Sequence, residues 1–248
     1  MTRVVLITGS SRGIGAATAL LAAERGYAVG VNYRHNKDAA EAVVAKIEQA
    51  GGKAVALAAD VSKEAEVERL FHEVDEKLGK LDALINNAGI LEKQMRLEAM
   101  KGERLERIFG TNISGSFLCA REAVKRMSTR NSGAGGVIIN LTSAAVSSGA
   151  PGEYIDYAAS KGAIDVFTKG LAKEVAAEGI RVNAVRPGLI YTDIHADGGE
   201  PERVDRLKAG VPMGRGGTAK EIANAILWLL SDEASYVTGS CIDVTGGR

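Results

Sequence analysis

Near the start of the chain, Thr8-Gly9-Ser10-Ser11-Arg12-Gly13-Ile14-Gly15 places three glycines in the spacing G-x-x-x-G-x-G. Glycines so spaced let the backbone reverse tightly, approach a pyrophosphate closely and pack the next helix hard against a strand, while the helix N-terminus favours the anion. Gly9, Ser11, Arg12, Gly13, Ile14 and Gly15 are the expected contacts. The spacing differs from the general dinucleotide fingerprint G-x-G-x-x-G, and a turn used only for packing would carry the same glycines. Position favours the ligand reading, because the run follows one apolar strand and opens a helix. About 20 residues further on, an NAD(H) site would carry Asp or Glu to accept from the adenosine ribose 2′-hydroxyl. The chain instead reads Asn32-Tyr33-Arg34-His35-Asn36. An acid there would repel a 2′-phosphate, whereas Arg34 and Arg12 can clamp one with charge-assisted hydrogen bonds. NADP(H) is therefore the expected cofactor, with NAD(H) use left open, although two ordinary solvated arginines would look the same.

The elements that must position this turn are legible in the apolar pattern. Strands are expected at Val4–Thr8, Ala28–Tyr33, Ala54–Ala59, Ala83–Asn86, Gly136–Leu141, Arg181–Val185 and Cys241–Val244. Helical periodicity fills the intervals at Ala16–Arg25, Asp38–Ala50, Glu64–Leu78, Ile113–Met127, Ala158–Ala177 and Ala219–Leu230. Strand followed by helix, repeated, implies a parallel sheet covered on both faces, and the strands are continuous apolar runs as such burial requires. The expectation is an α/β fold with a doubly wound, seven-stranded parallel sheet. With no linker or repeat, the 248 residues read as one domain. Its longest irregular piece, 189–217, follows the sixth strand and reads as a loop over a substrate.

Composition removes several function classes. Lysine plus arginine (31) equals aspartate plus glutamate (31), so no net field draws nucleic acid or an anionic membrane. No apolar run approaches the roughly 20 residues of a membrane span, and the first apolar run is too short for a signal peptide. Cys119 and Cys241 lie far apart, and His35, His72 and His195 lack ligand spacing, so the reading is a soluble cytoplasmic protein without a metal.

Further motifs follow in order: Asp60-Val61 after strand three, Asn86-Asn87-Ala88-Gly89 ending strand four, Asn112, Ser143 after strand five, Tyr157-Ala158-Ala159-Ser160-Lys161, and Pro187-Gly188 after strand six. A lone Y-x-x-x-K is weak evidence. The ordered set resembles the short-chain dehydrogenase/reductases over essentially the whole chain, which implies a single-domain Rossmann fold and an oxidoreductase acting on an alcohol/carbonyl pair. The resemblance makes Tyr157 the general acid in reduction and base in oxidation. Lys161, one helical turn on, would favour the phenolate, whose ordinary pKa near 10 makes tyrosine a poor base. Tyr154 lacks a lysine at that spacing. Ser143 would bind the substrate oxygen, with Thr142, Ser147 and Ser148 as alternatives. Asn112 would hold a water linked to the lysine, although a helix-start cap is the other reading. For the cofactor, the resemblance implies Asp60 and Val61 at the adenine, and Asn87, Ala88 and Gly89 beside the crossover steadied by Asn86. Pro187, Gly188 and Thr192 would lie at the nicotinamide, with Tyr157 and Lys161 at its ribose.

The substrate is less determined. The general run of the chain looks most like glucose- or ribitol-dehydrogenase-like members, which implies a sugar, polyol or small ketone. A 3-oxoacyl-[acyl-carrier-protein] reductase is the main alternative, using Arg130 and Lys173 to dock an acidic carrier. A dinucleotide-sensing binding protein is the alternative without turnover, and the intact Ser143, Tyr157 and Lys161 weigh against it. The resemblance also implies a homotetramer.

Overall fold

The computed structural model describes residues 2–248; Met1 lies outside the described residues. Seven parallel strands form the main sheet: β1 (Val4–Ile7), β2 (Ala28–Tyr33), β3 (Lys53–Ala58), β4 (Ala83–Asn86), β5 (Gly136–Leu141), β6 (Ile180–Pro187) and β9 (Cys241–Val244). Their order is β3-β2-β1-β4-β5-β6-β9, so the chain winds outward from β1 in both directions and the switch point lies between β1 and β4. Ligands of such sheets bind outside the carboxyl ends of the strands at that crevice.

Alternation along β1 shows how both faces are buried. Val5 and Ile7 join a core with Ala19, Ala22, Ile222 and Ile226, beneath α1 (Gly13–Glu24) and α10 (Ala219–Leu230). Val4 and Leu6 point the other way, into Leu70, Phe71, Cys119 and Ala172. That second face is covered by α3 (Glu64–Lys77), α5 (Gly115–Met127) and α7 (Ile155–Val175), the short α6 (Ala145–Ser148) preceding α7 in the chain, while α2 (Lys37–Gln49) lies against the first. With both sides dry, each strand needs apolar residues at every position, which is why the runs carry no polar alternation.

Three expectations require correction. The helix expected at Ile113–Met127 begins earlier: α4 (Gly102–Phe109) runs through one π-helical turn, Gly110–Ser114, into α5. Glycines at 102, 110 and 115 hide that continuity, yet Gly115 is there for close approach, since a Cβ would lie 2.8 Å from Val61 Cγ2. Asn112 is therefore inside a helix and does not cap its start. Likewise α7 begins at Ile155, which puts Tyr157 in its first turn. Finally, 189–217 is not irregular. β7 (Ile190–Tyr191) and β8 (Gly217–Thr218) pair with each other, Ile190 opposite Gly217, and between them lie α8 (Ile194–Asp197) and α9 (Arg203–Leu207). Elements of two to five residues are too short to register as periodicity.

Candidate active site

At the carboxyl ends of the central strands lies a cavity of about 1000 Å³, lined from Gly9 and Arg34 at one end to Tyr157, His195 and Arg203 at the other. Its first wall is the glycine turn. Gly9 and Gly13 have φ of +60° and +57°, where a side chain is strained. A Cβ on Gly9 would sit 2.9 Å from Ala88 Cα, and one on Gly15 2.6 Å from Asn87 Nδ2. Short side chains lock the turn to the strand ends. Thr8 Oγ1 accepts from the N–H groups of Asn87 (3.0 Å) and Ala88 (2.9 Å). Asn87 Nδ2 donates to the carbonyls of Thr8 and Gly9, and Asn32 Oδ1 accepts from Gly9 N. The N-terminus of α1 has no side-chain cap and no acid in its first turn. Uncapped N–H groups behind a cradle that a Cβ would fill suit a pyrophosphate.

At the adenosine end the two arginines are engaged. Arg34 Nε lies 3.0 Å from Asp60 Oδ2, and Asp60 Oδ1 accepts from Ser62 N and Oγ. Arg12 pairs with Asp197 of α8, across the cavity. Both carboxylates would have to yield for the arginines to take up a phosphate. Val61 is turned onto Gly115, and Asn86 is buried beneath the site, donating to Ser116 O and Asn140 Oδ1, rather than lining the cavity. Ser11, Ile14, Asp60, Val61, Asn87, Ala88, Gly89, Pro187 and Gly188 do line it. Gly188 passes under Thr245, whose Cα would be 2.8 Å from an added Cβ, and Thr192 stands opposite Gly13, 3.6 Å from the same hypothetical atom.

The chemical cluster sits on β5 and α7. Ser143 follows β5 and its hydroxyl accepts from Ala145 N at 3.1 Å, while Lys161 Nζ lies 5.7 Å from the Tyr157 ring centre. Burial pushes the Tyr157 phenol above its ordinary value and the Ser143 hydroxyl opposes it. Burial also draws the Lys161 ammonium down to about 8, against the Asp165 carboxylate one turn along α7. In the protein alone, desolvation of the phenolate is the largest influence on Tyr157. Lys161 Nζ donates to Leu141 O at 2.8 Å. Among the alternatives to Ser143, Thr142 Oγ1 donates to Lys161 O and Ser148 accepts from Ala150 N. Tyr154 is 3% exposed and accepts from Gln94 Nε2 at 3.0 Å.

Asn112 is fully buried and clamps the stretch after β4 to α7. Its Oδ1 accepts from Ile90 N (2.8 Å), and its Nδ2 donates to Ile90 O (3.1 Å) and Ser160 Oγ (3.0 Å). Gly89 lies between this amide and the lysine; a Cβ there would be 3.3 Å from Lys161 Nζ and 3.5 Å from Asn112 Oδ1. The π turn explains the placement, since such turns shift a helix register at a functional position.

Sequence reasoning missed the buried fork beside Tyr157. Arg104 Nε and Nη2 donate to Asp156 at 2.6 and 3.2 Å, Arg104 Nη1 donates to Lys93 O, and Asp156 Oδ1 accepts from Tyr157 N. The partners are 52 residues apart and each looks like a surface residue of its own helix, so no local signal could pair them. The far wall, 189–217, is held by side chains: Arg203 reaches Glu153 (2.5 Å) and Glu200 (2.8 Å) and lies 5.1 Å from the Tyr154 ring centre. Among the described residues, no group of three or more His, Cys, Asp or Glu gathers as a metal site, and no helix is long and apolar enough to cross a membrane.

Residues 9–248 match the family model described as Enoyl-(Acyl carrier protein) reductase. The uncharacterized oxidoreductase YgfF of Escherichia coli is 59% identical over 245 residues, covering 99% of each chain. The 3-oxoacyl-[acyl-carrier-protein] reductase FabG of Staphylococcus aureus is 41% identical over 247 residues, covering 100% of this chain and 98% of that one. Among solved structures, a 3-ketoacyl-(acyl-carrier-protein) reductase from Brucella melitensis complexed with NADH superposes with a TM-score of 0.91 at 35% identity, over 99% of this chain and 98% of that one. A mutant short-chain dehydrogenase/reductase from Serratia marcescens gives 0.90 at 33% identity, over 99% and 97%.

Proposed function

The chain belongs to the short-chain dehydrogenase/reductase family and is an oxidoreductase, and from that premise we propose that it moves hydride between NADP(H) and the alcohol/carbonyl group of a small sugar, polyol or ketone. The observation that carries the reading is the meeting of Ser143, Tyr157 and Lys161 in the same cavity as an uncapped glycine turn. The whole chain acts as one dinucleotide-binding catalytic domain, with 189–217 as its substrate lid. When bound, the nicotinamide supplies or accepts the hydride.

Everything else falls to the chain. Gly9, Ser11, Gly13, Ile14 and Gly15 would hold the pyrophosphate, Asp60 and Val61 the adenine, and Asn87, Ala88, Gly89, Pro187, Gly188 and Thr192 the nicotinamide end. Arg12 and Arg34, released from their carboxylate partners, would hold the 2′-phosphate. Ser143 holds the substrate oxygen against the Tyr157 phenol, so that a proton crosses one hydrogen bond. Burial keeps that phenol protonated in the protein alone, which suits an acid for carbonyl reduction. Lys161, charged over most of the neutral range, stabilises the phenolate left behind and lies on the same helix face. Asn112 and Gly89 keep the space beside the ammonium open, and a water there would use the Asn112 main chain, since its side-chain amide protons are engaged. For assembly, the homotetramer reading draws support from Phe117 and Val166, 46% and 72% exposed on the α5 and α7 surface where Phe117 stacks on Phe167.

A second reading, reduction of a 3-oxoacyl group on acyl carrier protein, is favoured by the likeness to the Staphylococcus 3-oxoacyl-[acyl-carrier-protein] reductase. Arg130, which would dock the carrier, is exposed and reaches Glu178 at 3.1 Å. Fluorescence titration with NADPH and NADH, followed by absorbance assays with sugars, diketones and 3-oxoacyl thioesters, separates the readings. Tighter NADPH binding with turnover of hydroxylated or simple ketones is expected. Tighter NADH binding would remove the arginine argument, and thioester turnover alone would replace the substrate class.

A further inference from the structure

The first turn of α7 carries the Tyr157 phenol, yet it starts without the side-chain cap that secures α2 and α10. There, α10 opens on a reciprocal capping box of Thr218 and Glu221, and α2 on Asn36, whose side chain accepts from Ala39 N. Tyr154, the residue before α7, makes no such bond, and the helix ladder begins at Ala158 N, which donates to Tyr154 O at 2.9 Å. The N–H of Tyr157 therefore has no acceptor in the ladder. It donates instead to Asp156 Oδ1 at 2.9 Å. That carboxylate is 1% exposed, and Arg104, 4% exposed, grips it with two bonds. Arg104 Nη1 also donates to Lys93 O, in the segment whose Ile90 and Leu91 line the cavity. A buried ion pair is a poor source of stability, because the cost of desolvating both charges offsets their attraction. What the fork supplies is direction. The planar guanidinium holds the carboxylate in one orientation, and the carboxylate holds one backbone N–H.

We propose that Asp156, oriented by Arg104, is a positioning residue that fixes the first turn of α7 and so aligns the Tyr157 phenol with the substrate oxygen. This rests on the reading of Tyr157 as the proton donor and deepens it. Neither Asp156 nor Arg104 lines the cavity, so both act through the Tyr157 backbone rather than on substrate or cofactor. A first turn is where a helix frays, and a misplacement of about 1 Å at a reacting group costs on the order of 10²-fold in rate. The carboxylate at this position also carries the charge that a helix N-terminus favours.

Arg104→Met alone would strand a carboxylate in the interior, where loss of fold and loss of alignment coincide. Two neutral double variants separate them. Arg104→Met/Asp156→Leu removes both charges and the acceptor, whereas Arg104→Met/Asp156→Asn removes both charges and keeps an acceptor oxygen for Tyr157 N. Both lose the bond to Lys93 O, so the difference between them reads the Tyr157 bond. The probes are erythrulose, diacetyl and acetoacetyl coenzyme A, with NADPH as reductant. On the probes that the wild type reduces, the first double variant is expected to lose about 10- to 100-fold in kcat with KM within about threefold, and the second to recover most of that loss. A second readout needs no turnover. Hydrogen exchange, followed by mass spectrometry on peptides spanning 154–160, should quicken in the first double variant and stay near the wild-type rate in the second, while later turns of α7 are protected alike in both. Equal kcat in the two, equal exchange at the first turn, or a kcat loss that simply follows their urea midpoints overturns the proposal. If Tyr157→Phe is inactive while the first double variant is fully active, the proposal falls alone. If Tyr157→Phe retains turnover, or the wild type reduces none of the probes, the wider reading falls and takes the proposal with it.

Discussion

The two walls of the cavity are held by different kinds of bond. The glycine-turn wall is fixed by backbone and short side chains: buried Thr8 and Asn32 and half-buried Asn87 bond main-chain groups, and Gly9 and Gly15 admit no Cβ. The 189–217 wall is fixed by long charged side chains meeting each other, Arg12 with Asp197, Arg206 with Glu200 and Arg203 with two glutamates. Buried bonds to the main chain survive salt and tolerate little change, whereas pairs with exposed members contribute roughly 0–1 kcal/mol each and are screened. In the proposed function this difference would divide the labour: the first wall would hold the invariant cofactor, and the second would face the variable substrate.

Between the walls stands the chemical cluster, and the largest expected effect tests whether it belongs to the rigid side. Tyr157→Phe removes a proton and almost no surface, so kcat should fall by about 10²–10⁴-fold while NADPH affinity, read by fluorescence, changes little. Retained turnover would move the proton donor elsewhere, Tyr154 being the next phenol. Next in size is the pH dependence of stability in the protein alone. The folded-state value of Lys161, about 8, lies below its ordinary 10.5, so between those values the unfolded chain binds more protons and stability rises with pH. The gain is on the order of 3 kcal/mol at most, opposed above about pH 10 by Tyr157, whose raised value favours the folded state only while it stays protonated. Urea titrations across that range should show a slope in the wild type that Lys161→Met flattens. An unchanged slope would mean that the ammonium is solvated and the floor of the site is not closed.

The same distinction explains what could be read from residues alone. The glycine turn, the Asn87-Ala88-Gly89 corner and the Tyr157/Lys161 spacing were legible because a backbone conformation or one helical turn dictates the residue type. Arg104 with Asp156, Arg12 with Asp197 and Arg34 with Asp60 were not, since each pair joins elements distant in sequence and either member alone looks like a solvated charge. The lid helices escaped for want of length, and the π turn at Asn112 because glycines masked a continuous helix. Gly15→Ala sharpens the point. Its Cβ would fall 2.6 Å from Asn87 Nδ2 and 2.7 Å from Gly9 O, where backbone must shift, so a loss of about 1–3 kcal/mol in urea unfolding is expected, together with weakened binding of both NADPH and NADH. Full tolerance would mean that the first wall is as pliable as the second.

The smallest effect is the most diagnostic of how the walls communicate. Arg12 belongs to the glycine turn but is tied to Asp197 of α8, with side chains 53% and 42% exposed. In the NADP(H) reading it must leave that carboxylate to meet a 2′-phosphate, so Asp197 competes with the cofactor for one guanidinium. Asp197→Asn removes the competing charge and keeps the shape. Because an exposed pair is worth roughly 0.2–1 kcal/mol, NADPH affinity should rise by about 1.5- to 5-fold at low salt, and the gain should shrink as salt screens the wild-type pair. NADH, which has no 2′-phosphate, should bind the variant and the wild type alike. An equal gain for both dinucleotides would show that Asp197 restrains the lid as a whole rather than Arg12, and no gain for either would leave Arg12 outside the phosphate site.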